Sequence, residues 1–170
     1  MVLSVVQAVV LRELAAVRRT VEAYPDDASL WAERPGFPNA GGTLVLHLAG
    51  NLQHYLGAVL GQSGYRRDRD AEFSRRDVSR AALLGEIEAA RQAVERGMAV
   101  VSDDMLAAPY PEQIAGRIVA TGDFLVHLVT HLAYHLGQLD YHRRVVTGER
   151  RSISAIAVAE LPVRDHERAR

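Results

Sequence analysis

Cysteine is absent from this chain of 170 residues, which excludes structural disulfides, a cysteine-ligated zinc site and a cysteine nucleophile. Any thiol chemistry would need a thiol from outside. Lysine is absent too: all 20 basic residues are arginine, so no Schiff-base amine is available. Neither sign of charge dominates, and a net charge of −1 gives no basis for broad affinity for nucleic acid or acidic lipid. There is no Gly-rich phosphate loop, no HExxH and no GxSxG. No internal repeat and no strand-like alternation is found. Residues 39–65 carry no charge, yet they hold two His, two Asn, two Gln and six Gly, so they fit a buried helix better than a membrane span. The apolar start MVLSVVQAVVLREL lacks a basic leading segment and a small-residue cleavage site, and a cytoplasmic location is expected.

What is present is helical periodicity. Val6, Val9, Val10, Leu14, Val17 and Val21 make an apolar stripe over about Val2 to Ala23, with Arg12, Arg18 and Arg19 outside it. A linker with Trp31, Pro35, Gly36, Pro38 and Gly41-Gly42 follows, too rich in breakers for a helix. A second helix is predicted from Thr43, as N-cap, to the glycines at 61–64, and a third from Asp77 or Ser79 to Val101. Between them the run YRRDRDAEFSRRD, residues 65–77, reads as a solvated crossing loop; the arginines at 66, 67, 69, 75, 76 and 80 could bind an anion, but the solvated reading is preferred. The fourth helix is expected from Thr121, as N-cap, to about Val146, before Gly148. Long connections between helices one and two and between three and four give the expected class: all-α, a four-helix bundle with long crossover connections over residues 1–155, followed by a tail, 156–170.

The chemistry lies in the histidines. Asp123-FLVHLVTHLAYHLGQL-Asp140 has no charged residue between its two aspartates, yet it carries His127, His131 and His135 at steps of four. Residues four apart on a helix share a face, so His131 and His135 can converge on one ion. Neutral imidazoles at this spacing suit Zn, Ni or Fe as a divalent cation. His47, on the apolar second helix, is the candidate third ligand. Three protein ligands leave a coordination position open, the mark of a catalytic rather than a structural site. His127 and His135 lie about 12 Å apart along the axis, so one ion cannot take all three histidines of this helix. Leu128, Leu132 and Leu139 around the pair favour 131/135. His47, Asn51, His54 and Ala58 form a polar ridge on the second helix. Asn51, Tyr55, His127 and Gln138 are the candidate pocket residues, able to orient a ligating ring or line a cavity. His54 and His142 read as structural, His142 near the exposed basic end. No residue is singled out as catalytic apart from the metal site.

HLAGNLQHYLGAVL, RDRDAEF and HLAYHLGQLDYHRRVVTGE resemble the corresponding segments of the DinB-like (DinB/YfiT) superfamily, with the likeness running over about residues 5–155. The resemblance implies a four-helix bundle with a divalent metal held by three histidines, which by motif position are His47, His131 and His135. It also implies small-molecule substrates, metal-dependent hydrolases or transferases that use an external low-molecular-weight thiol such as bacillithiol or mycothiol, and homodimers. The apolar faces of helices one and four could support a dimer. Two other readings stand beside the enzyme: a non-catalytic dimeric bundle that binds a metal or ligand for sensing or stress response, and a structural dimer whose histidines are packed core. Neither a nucleic acid nor a membrane is an expected partner.

Overall fold

The computed structural model describes residues 2–153 and 157–161. Helix α1 (Val2–Glu22) buries Val10, Leu14, Val17 and Val21, the inner part of the predicted stripe. Helix α3 (Gly41–Leu52) is buried at every one of its 12 residues, as its near-absence of charge requires, and runs on as a π-helical segment, Gln53–Leu60. Helix α5 (Arg80–Val100) starts where expected, with the Ser79 side chain accepting the Ala82 N–H. Helix α6 (Thr121–Thr147) ends at Gly148, which takes the left-handed conformation with φ 71°. Among the described residues there is no strand, only the isolated bridges Pro109–Ala120 and Ile114–Arg117.

Contacts run around a square: α1 packs on α5 and α6, and α3 packs on the same two. Helices α1 and α3 therefore lie on one diagonal, α5 and α6 on the other. The connections 23–40 and 101–120 each join diagonal partners, which is why they have to be long. The centre is filled by Leu14, Leu48, Leu52, Leu83, Leu128, Leu132, Leu136 and Leu139, all at most 2% exposed. Burying each such side chain contributes roughly 1.5–3 kcal/mol before conformational entropy is counted. Where α5 crosses the π segment the backbones nearly touch: a Cβ at Gly97 would overlap the Leu56 carbonyl oxygen. Only glycine fits there. No helix of the described residues is long and apolar enough to cross a membrane.

Several expectations need correction. Helix α3 starts two residues before Thr43, with Ala40 as cap, and the Thr43 hydroxyl is buried without a partner. Helix α6 is capped by Ala120, and Thr121 Oγ1 instead donates to Ala108 O at 3.1 Å. The breaker-rich linker holds a one-turn helix α2 (Asp27–Leu30), closed by reciprocal hydrogen bonds between Asp26 and Ser29. The charged run 65–77 is not simply solvated: helix α4 (Arg69–Ser74), capped by Asp68, packs on α3 and buries Glu72. His142 is 1% exposed; its Nε2–H donates to Ala32 O and its Nδ1 accepts from the Tyr24 hydroxyl, both at 2.8 Å. The returning 23–40 connection covers that end of α6 and makes His142 a structural group. The boundary expected at 155/156 and the tail beyond Leu161 lie outside the described residues.

Candidate metal centre

Helices α3 and α6 are neighbours, and their facing sides bring His47, His131 and His135 together, each offering a ring nitrogen within 4.8 Å of the others. The ring centroids of His131 and His135 are 4.6 Å apart, and that of His47 is 5.1 Å from each. His127 stands 6.0 Å below His131 and stacks on Phe124, outside the cluster. His127 and His131 share the one-turn spacing of His131 and His135, so it is the level of His47 on α3, 5.1 Å from both 131 and 135, that selects the pair.

Hydrogen bonds fix the tautomers. His47 Nδ1 lies 3.0 Å from Glu72 Oε2, a carboxylate that can only accept, so Nδ1 carries the proton and Nε2 presents a lone pair. His135 Nδ1 donates to Gln138 Oε1 at 2.6 Å, which leaves its Nε2 free in the same way. Gln138 thus acts on the ring rather than on the cavity. His131 Nε2 faces His47 Nε2 at 3.2 Å, and His131 Nδ1 is buried with no partner. A proton between the two Nε2 atoms makes one hydrogen bond and still leaves Nδ1 unsatisfied. A cation between them uses both lone pairs. The ~3.4 Å edge of a tetrahedron with ~2.1 Å Zn–N bonds falls within the observed separations. The donor set, three imidazoles with two protons already directed outward, fits a divalent zinc, nickel or iron ion.

Protonation would compete with such an ion, and the site resists it. Burial, reinforced by the neighbouring histidines and Arg67, lowers the His131 pKa from 6.5 to about 4. Burial also lowers that of His135, against the opposing pull of Gln138. In acid the unfolded chain therefore takes up a proton that folded His131 refuses. The His131 contribution to the stability of the metal-free protein is expected to fall as pH drops from about 6.5 to about 4; below that, protonation of carboxylates held low in the fold, Glu72 among them, continues the loss. Urea midpoints across that window check this; the fall should be shallower in His131→Gln, which has nothing to titrate there.

Glu72 and Arg67 are the functional residues that the charged-loop reading missed. Burial opposes ionisation of Glu72, but hydrogen bonds from His47 and Arg67 hold its pKa below the ordinary value. Arg67 grips both carboxylate oxygens, Nε to Oε1 at 2.7 Å and an Nη to Oε2 at 2.9 Å. The carboxylate reaches His47 because residue 50 is glycine: a Cβ there would overlap Glu72 Oε1. The Gly50 of HLAGN is therefore part of the site.

The cluster opens on a cavity of about 390 Å³. Tyr55, Phe73, Ile114, Phe124 and Leu128 form its apolar walls, and Asn51, Arg67, Arg69 and His127 its polar ones. Asn51, Tyr55 and His127 line it as expected; Gln138 does not. The predicted ridge breaks at the π segment, where hydrogen bonds span five residues instead of four. Tyr55 faces the cavity in place of His54, whose Nε2 pairs with Glu112 at 2.9 Å.

A family model described as the DinB superfamily matches residues 10–139, a span that contains all three histidines, Gly50 and Glu72. Among curated proteins and among solved structures nothing matches the chain.

Proposed function

We propose, from the premise that this chain belongs to the DinB superfamily, that it is a metal-dependent enzyme in which His47, His131 and His135 hold a divalent ion and a small molecule reacts in the adjoining cavity. The observation that carries this reading is the pair of Nε2 atoms opposed at 3.2 Å, one of them on a ring whose other nitrogen is already donating to Glu72. Two lone pairs directed at one point, with a third ring beside them, require either a shared proton or a cation. A divalent ion supplies Lewis acidity, the means by which a water or thiol becomes nucleophilic near neutral pH and a carbonyl is polarised.

The chain's own groups do the rest. Glu72 and Gln138 hold His47 and His135 in the ligating tautomer, and the low pKa of His131 keeps that ring neutral. The apolar walls offer the body of a small molecule a surface beside the cluster. Hydrolysis and transfer of an external thiol are the two reaction classes that we favour for this arrangement, since no serine or threonine lines the cavity and the chain has no cysteine anywhere.

The test has two stages. Protein purified without a tag or chelator is expected to hold zinc, nickel or iron in near-stoichiometric amount by elemental analysis; metal-free protein that takes up none of the three on reconstitution would overturn the proposal. Metal-loaded protein is then assayed on panels of esters, amides and electrophiles with a small thiol. Turnover lost in His131→Ala and on chelation supports the enzyme. Rates no higher than those of the variant on every panel leave a binding module instead.

A further inference from the structure

The cavity beside the histidines is charged in one sense only. No aspartate or glutamate lines it, while two guanidinium groups, Arg67 and Arg69, do. Arg67 is neutralised where it stands by its two bonds to Glu72. Arg69 is not: among the described residues no carboxylate lies within ion-pair distance of it, and its guanidinium sits over the Phe73 ring, 5.0 Å from the centroid. The neighbouring aspartates do not face the cavity, and Asp68 is engaged in capping α4 through the Ala71 N–H. Phe73 in turn packs against His47, with centroids 4.9 Å apart. One aromatic ring therefore separates an uncompensated guanidinium from the nitrogen cluster.

From this spacing we infer that the substrate is a small molecule with an oxyanion, a carboxylate or a phosphate, which Arg69 binds about one ring-width from the reacting centre while the apolar walls hold the body of the molecule. The chemistry favours this over a neutral substrate. A planar guanidinium offers paired donors that match a carboxylate or phosphate edge. Stacking on Phe73 holds it in orientation without a competing anion. Arg69 is solvent-exposed at the edge of the cavity, so an anion there can replace water around the guanidinium, whereas a neutral ligand gains no charge pairing from it. The inference rests on the metal-enzyme reading above for the identity of the reacting centre, but its anion-binding half can be read without metal.

Isothermal titration of zinc-loaded and metal-free protein with phenylacetate, phenyl phosphate and the neutral isostere phenylacetamide tests it. At least one anion is expected to bind ten-fold or more tightly than the amide in both forms, and Arg69→Gln is expected to erase that preference with zinc content unchanged. Which anion wins distinguishes a carboxylate-bearing from a phosphate-bearing substrate. Equal binding of acid and amide overturns the inference, as does an anion preference that survives Arg69→Gln, since the anion would then sit elsewhere. Elemental analysis of the same samples separates the two ideas: protein that holds no zinc but keeps an Arg69-dependent anion preference sinks the metal-enzyme reading and leaves the anion site standing.

Discussion

His131→Ala is expected to abolish high-affinity metal binding while leaving the metal-free fold close to wild-type stability. The two halves of this result have different causes. His131 is the ring nearest His135 and the one whose Nε2 faces His47, so its removal leaves two nitrogens on separate helices. The loss should exceed the ~10–100-fold effect of deleting a group that only orients a ligand. Stability, by contrast, changes little, because truncation removes a half-buried imidazole whose Nδ1 has no partner. An unsatisfied buried polar atom costs about 1–3 kcal/mol, which offsets much of the packing lost at a cavity wall. Thermal unfolding with and without zinc reads both. At zinc one hundred times its dissociation constant the wild type gains about 2.7 kcal/mol, and the variant gains nothing. His127→Ala, one turn away on the same helix, is the control and should respond to zinc as the wild type does. A variant at 131 that zinc still stabilises, or one at 127 that it does not, would place the ion elsewhere.

The histidine triad was legible because the helical repeat is local: steps of four on a charge-free helix define a face before any partner is known, and a lone polar residue amid the apolar run of α3 calls for one. The bundle class followed from the same periodicity. What stayed hidden depends on contacts distant in sequence. Glu72 sits in a run of alternating charge, and nothing local distinguishes it from its solvent-facing neighbours except that Ala71 and Phe73 flank it; only the packing of α4 on α3 buries it. His142 looked exposed because the group that covers it, Ala32, is 110 positions away. The swap of Tyr55 for His54 has a third cause. A repeat of 3.6 cannot anticipate a π-helical stretch, so His54, placed on one ridge with His47 and Asn51, turns instead to Glu112, while Tyr55, a pocket candidate in the sequence, lines the cavity.

The second large effect is expected at Glu72, which joins the stability of the fold to the electronic state of the site. Its carboxylate accepts from His47 and from Arg67, and both side chains of the ion pair are about nine-tenths buried or more, at 11% exposure for Arg67 and 6% for Glu72. Glu72→Ala strands the guanidinium and leaves the His47 Nδ1–H without an acceptor. Breaking a buried pair by removing one partner costs about 3–5 kcal/mol. Losing the group that fixes the tautomer of a ligating imidazole should weaken metal binding by about 10–100-fold. These losses have to be separated, since a variant that unfolds says nothing about the ligand. Glu72→Gln keeps the volume and still offers an oxygen to His47, but turns an amide N–H₂ towards Arg67; it should lose stability with a smaller fall in affinity. Gly50→Ala leaves every charge in place and displaces the carboxylate by steric overlap alone. Its expected signature is affinity for zinc down by ten-fold or more, measured by chelator competition, with a fall in the urea midpoint smaller than that of Glu72→Ala, because the displaced Oε1 is the oxygen that accepts from Arg67 Nε but the guanidinium keeps its counter-charge. If Gly50→Ala and Glu72→Gln both bind zinc as tightly as the wild type, Glu72 serves the ion pair with Arg67 and has no part in orienting His47. The loss of affinity in Gly50→Ala without unfolding is what a carboxylate–imidazole–metal relay requires, because a methyl group at position 50 reaches the site only through the position of that one carboxylate.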